Sequence, residues 1–189
     1  MGFVYYFSLS CLAAILLTTG FGHLVKFPVF RALLVEHQIA PIRIVTLVAI
    51  FVLAVEFVTG TIALLLIAGG LRTQFSSLLF AAGASAGIVF LVYVRHLLRR
   101  STGATACGCS PLPSPLTPVA MLPAATLGLV SCAGLISALW PATNLSTALA
   151  GEHASVLYAL PILSGVVFAG ITILAPASMP APLTTEEGG

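Results

Sequence analysis

Apolar residues gather into five long runs, residues 4–25, 42–68, 75–98, 119–140 and 154–175, separated by short polar, Gly- or Pro-containing joins. Each run supplies the roughly 20 apolar residues that a helix needs to cross about 30 Å of hydrocarbon. Gly69-Gly70 and Pro141 punctuate two of the joins. Segment 27–38 follows a different rule. Pro28 suits a helix start, Val29, Phe30, Leu33 and Leu34 recur at helical spacing, and Arg31, Glu36 and His37 supply a polar side. That pattern predicts a short helix lying in the membrane interface. Beyond residue 175 the chain turns Pro-rich and ends Thr-Thr-Glu-Glu-Gly-Gly, the composition of a disordered tail. The expected fold class is all-α: a polytopic membrane helix bundle of about five transmembrane helices plus one interfacial helix. It forms a single domain over residues 1–175, followed by the disordered tail at 176–189. The first run has an alternative as a cleaved signal peptide, but no basic residue precedes its apolar core. A lipoprotein signal at Cys11 fits less well, since Ser8 stands where such signals usually carry Leu.

Composition agrees with the runs. The chain has 189 residues, 59% hydrophobic and only 6% charged, where soluble domains carry about 25% charged residues. It has no Asp, its one Lys is Lys26, and its net charge of +2 is too small to suggest nucleic acid as a partner. The basic residues are unevenly placed. Lys26, Arg31, Arg43, Arg95, Arg99 and Arg100 belong to the first and third loops, and Arg72 alone to the second. By the positive-inside rule this puts the N-terminus outside and the loop after the third span in the cytoplasm. The expected location is the bacterial plasma (inner) membrane.

That loop carries the chain's most reactive pair, Cys107-Gly108-Cys109. Gly108 makes the sharp bend between the two thiols cheap, and a bridge so closely spaced is strained and readily reduced. Arg99 and Arg100 nearby favour the thiolate. Redox exchange is the first reading, an unreactive loop pair the second and metal binding the third. A tetrahedral site wants four ligands, and His96 is the only other candidate close in sequence, so no metal site is expected. Cys11 and Cys132 fall inside the first and fourth spans, as small hydrophobes or as a second redox pair.

Glu56 is the only acid well inside a span. A charge at mid-membrane costs on the order of 2.5–3.5 kcal/mol, so Glu56 should be protonated, paired or beside water. It bridges helices, relays a proton, or anchors a peptide or a quinone, the one cofactor class considered. Thr59 and Gly60 follow on its face and leave room for another helix or a polar ligand. Gly83-x-x-x-Gly87 in the third span reads as helix packing within the bundle. His23, His37, His96 and His153 lie near span ends and read as interfacial anchors. There is no Asp for a Ser-His-Asp triad, no Walker or dinucleotide glycine fingerprint, and no paired carboxylates in a span.

The order of these features resembles one known family. Gly22-His23-Leu24-Val25-Lys26, then Phe30-Arg31-Ala32-Leu33-Leu34 and Pro41, then Glu56-Phe57-Val58-Thr59-Gly60, Arg95 and Cys107-Gly108-Cys109 resemble the MauE family, methylamine-utilisation membrane proteins related to DoxX. The resemblance covers roughly residues 10–135, and its most specific element is the Cys-Gly-Cys after the third span. It implies a small helical membrane protein associated with thiol redox, whose namesake supports maturation of a disulfide-rich exported subunit beside a thioredoxin-like protein. On that resemblance Cys107 and Cys109 are the redox pair, and Glu56 with Gly60 is the intramembrane motif. Two positions depart from the family pattern. Ser110-Pro111 follows the cysteines in place of Phe-Gly, and Met121-Leu122-Pro123-Ala124 stands where the family tends to carry an Arg-Asn pair.

The expected function is therefore thiol/disulfide chemistry in the membrane through Cys107 and Cys109, assisting maturation of a thioredoxin-like partner or an exported client. Whether this amounts to oxidoreductase catalysis stays open. The alternative is a non-catalytic membrane subunit or chaperone that docks a partner complex. A small-solute transporter has only Glu56 to recommend it and shows no repeat of broken helices.

Overall fold

A computed structural model describes residues 2–39, 41–69, 75–100, 121–139 and 154–174, excluding the side chains of Arg100 and of residues 154–158. Cys107 and Cys109, Arg72, His153 and the tail lie outside the described residues. The elements are helices α1 (Gly2–Val25), α2 (Phe27–Glu36), α3 (Val45–Ala68), α4 (Phe75–Arg100), α5 (Leu122–Leu139) and α6 (Ala154–Leu174). The protein is an all-helical bundle, and α1, α3, α4 and α5 are long and apolar enough to cross a membrane. The fifth expected span is α6, which is apolar over the described stretch Ala159–Leu174 and has Pro161 inside it.

The first span is the axis of the bundle. α1 packs against α3, α5 and α6, while α4 packs on α5. Tyr5, Leu9, Leu12 and Leu16 run down its buried side at the three- and four-residue spacing of one helix face. Phe80 of α4 meets Tyr5 edge-on at 5.8 Å between ring centroids, and the hydroxyls of Tyr5 and Ser76 are hydrogen-bonded at 2.7 Å. A buried phenol needs such a partner, because an unpaired hydroxyl in an apolar interior costs about 1–3 kcal/mol.

Close approach between helices explains several of the described glycines. Gly87 of α4 lies on Gly128 of α5, and Gly83 faces Ser131, so the Gly-x-x-x-Gly is an internal seam between two spans. Lipid offers no hydrophobic drive for helix association, so van der Waals contact along such seams holds spans together. Gly165 plays the same part between α6 and α1, against the backbone of Phe7 and Cys11.

α2 does not lie free on the surface. Phe30 and Leu34 are buried against Val45 and Ala49 of α3, while Val29 faces outward. The buried stripe is therefore narrower than the periodicity implies. α2 runs beside the first turns of α3, which extend past the end of α1.

Candidate functional site

The polar centre of the bundle forms where the last turns of α1 meet the middle of α3. The two helices run antiparallel, and glycine alternates with a large residue across them. A Cβ on Gly20 would lie 3.2 Å from Glu56 Cβ, and a Cβ on Gly60 would lie 2.8 Å from Leu17 Cγ. Gly20 thus makes room for the Glu56 side chain, and Gly60, one turn beyond Glu56, makes room for Leu17. The space beside Gly60 is filled by a helix, not left for a ligand.

His23 lies three residues after Gly20, on the same face of α1. Its Nδ1 is 3.1 Å from Glu56 Oε2, and both side chains are 5% exposed. Whichever group holds the shared proton donates: Nδ1–H to the carboxylate, or the carboxyl O–H to Nδ1. Phe30 of α2 stacks on the imidazole at 4.1 Å between ring centroids, with an interplanar angle of 12°. The ring is thereby held by an acid on one helix and an aromatic face on another.

His23 corrects the sequence reading. It is not an interfacial anchor but a buried partner of the one intramembrane acid. The reason is the register: α3 begins well before α1 ends, so the last turn of α1 reaches the depth of the middle of α3. Two signals pointed to it. A lone mid-span acid needs a partner, and His23 is the only histidine one helical turn from a glycine in the first span. Of the other histidines, His96 is exposed, and His37 Nδ1 is hydrogen-bonded to the Tyr93 hydroxyl, tying the end of α2 to α4.

Burial pushes His37 below the usual histidine value, with Glu36 pulling it partly back. The folded state therefore binds the proton less readily than the unfolded chain. Its contribution to stability is complete above about pH 6.5 and is lost as the pH falls through the folded value. Protection factors of the α2 backbone amides, with intrinsic exchange rates divided out, should accordingly be lower at pH 5 than at pH 8, in a manner that His37→Gln removes. An unchanged acid response in that variant would assign the effect to another group.

Beside the His23–Glu56 pair lies a cavity of about 40 Å³. Ile15, Leu16 and Thr19 of α1 form its back, Phe90 and Val94 of α4 one side, and Pro123, Ala124 and Leu127 of α5 the other. These are late residues of α4 and early residues of α5. The cavity therefore lies towards the end of the bundle where α4 stops and α5 starts, near the contact of Met121 with Val94. Arg100 and Met121, the residues that flank segment 101–120 with its Cys107 and Cys109, belong to this same end.

The two remaining cysteines are apart in character. Cys11 is buried and its thiol donates to the Gly165 carbonyl at 3.2 Å, whereas Cys132 is exposed on the outside of α5. Both are free, with no disulfide between them. No cluster of three or more metal-ligating side chains occurs among the described residues.

A multi-pass helical membrane protein built round one buried histidine–glutamate pair is the class that this fold and site define. Residues 1–141 match the family described as Methylamine utilisation protein MauE, and the chain belongs to that family. The match spans α1 to α5 and ends before α6. No curated protein and no solved structure matches the chain.

Proposed function

We propose that this protein exchanges thiol and disulfide equivalents through Cys107 and Cys109 in support of another protein's maturation, from a position in the bacterial plasma membrane. The observation that carries the reading is the fate of the other thiols. Cys11 is held inside the bundle on a backbone carbonyl and Cys132 faces away from it, which leaves Cys107 and Cys109 as the adjacent pair. Membership of the MauE family supports the reading, as do Arg95 and Arg99 leading into the cysteine segment.

In the exchange, one thiolate attacks a partner disulfide, forming a mixed disulfide and releasing the partner's first thiolate. The second cysteine of the pair then displaces the partner's remaining sulfur. Two electrons pass from the pair to the partner, and the reverse sequence oxidises the partner instead. Glu56, as a proton or ligand site, is the second element of the proposal.

Cys107→Ser and Cys109→Ser should each abolish exchange with a thioredoxin-like partner, and the double variant should remain folded. Retained exchange in either single variant would overturn the reading. A double Ser variant that still supports the partner's maturation would favour a docking subunit. Charge bias places the pair in the cytoplasm, so after reduction a membrane-impermeant maleimide should label it in inverted vesicles and not in intact cells. Labelling from outside would move the exchange to the exported side.

A further inference from the structure

An acid that only bridged two helices would be served by any hydrogen-bond donor, such as Ser, Asn or Gln. Glu56 is instead paired with the one side chain whose ordinary titration falls between pH 5 and 8. The pair can therefore exist with two proton counts without leaving its site. It is also not sealed. A cavity needs about 10–15 Å³ for a water, so the 40 Å³ beside the pair has room for about three.

Apart from the pair itself, Thr19 is the polar residue in a mostly apolar lining. Thr19 gives its hydroxyl hydrogen to the Ile15 and Leu16 carbonyls, at 2.9 and 3.2 Å, so towards the cavity the oxygen can only accept. The facing residues of α4 and α5 are apolar, and Pro123 brings no N–H. From α2, the group against His23 is Phe30, and α6 adds nothing to the lining. Lys26, Arg31, Glu36, Arg95 and Arg99, the charged side chains of the neighbouring segments, are exposed and do not line the cavity, nor does His96 or Tyr93. Among the described residues that line the cavity, His23 and Glu56 are the groups that can hold a proton arriving here.

We propose that His23 and Glu56 form a single-proton exchange site, loaded and unloaded by water entering the cavity from the end of the bundle where α4 stops and α5 starts. In the loading step a hydrated proton passes to the pair, giving the carboxylic acid hydrogen-bonded to neutral imidazole, and water leaves. No heavy-atom bond forms or breaks, and the buried charge falls from −1 to zero. The step uses described residues only and does not depend on the thiol reading, since no cysteine takes part.

The test is infrared difference spectroscopy of the full-length protein in nanodiscs, between about pH 4 and pH 10. Glu36, Glu152, Glu186 and Glu187 lie outside the spans, so the signal sought is a carboxyl C=O band that Glu56→Gln removes. His23→Gln should move its midpoint by about one pH unit or more. In D2O the band should shift at once, and Val94→Trp, which fills the cavity, should slow that shift by roughly tenfold. Absence of a Glu56-dependent band, or a band that does not respond to D2O, would overturn the proposal. An exchange rate unchanged by Val94→Trp would overturn the access route. Should His23→Gln fail to fold, the His23 ring nitrogens of the wild-type protein report the same titration by NMR, and no shift across that range would also overturn it.

Discussion

Glu56→Lys should leave little folded protein in the membrane, whereas Glu56→Gln should accumulate normally. Glu56 Oε2 would lie 3.4 Å from a Cβ on Gly20, so a longer lysine has nowhere to turn within the α1–α3 seam. A lysine at mid-span costs on the order of 2.5–3.5 kcal/mol, and a buried His23 that has lost its partner adds about 1–3 kcal/mol. Together these approach the total stability of about 5–15 kcal/mol that a native protein has to lose. Gln keeps the shape and offers His23 a hydrogen bond without a charge. Yield after detergent extraction, the size-exclusion profile and the thermal midpoint would each separate the two variants. A Glu56→Lys protein that is monodisperse and melts within a few degrees of wild type would show that the seam is looser than described.

The second large effect is an asymmetry. A Cβ on Gly87 would stand 2.6 Å from Gly128 N and 2.7 Å from Gly128 Cα, both backbone atoms that cannot rotate aside. A Cβ on Gly128 would meet nothing closer than Gly87 Cα at 4.0 Å. Gly87→Ala should therefore force α4 and α5 apart and cost about 1–3 kcal/mol. Gly128→Ala should cost nothing, and its better helix propensity should offset any small loss. Thermal midpoints of the two variants, measured side by side, decide it. Equal destabilisation by both would mean that the two helices meet with a different rotation.

Much of this was legible because membrane helices announce themselves by length and hydropathy. All five apolar runs are helices within a few residues of their expected ends, and four of them are long and apolar enough over their described residues to cross a membrane. The Gly83-x-x-x-Gly87 seam was legible for the same reason, since small residues at that spacing have one main use in a lipid-facing helix. Three things were not. The depth at which α1 meets α3 depends on how α2 docks on α3, which no local pattern encodes, so His23 read as a surface histidine. The face of a nearly uniform apolar helix is likewise silent, so Cys11 and Cys132 looked alike although one is buried and the other exposed. The docking of α2 was not legible either, because its spacing does not say which of Val29, Phe30, Leu33 and Leu34 meets α3.

The position of α1 on the bundle axis carries a consequence for how the chain is made. α1 is made before every helix it packs against. Glu56 follows His23 by 33 residues, and Gly165 follows Cys11 by 154. At about 5–20 residues per second, α1 waits roughly 2–7 s for its acid and roughly 8–30 s for the helix that covers its thiol. Through that interval His23 must be sheltered by the insertion machinery or by water at the membrane surface, whereas Ser10 already bonds the Tyr6 carbonyl of its own helix. Biogenesis, more than the finished bundle, is where the histidine of the first span is most costly.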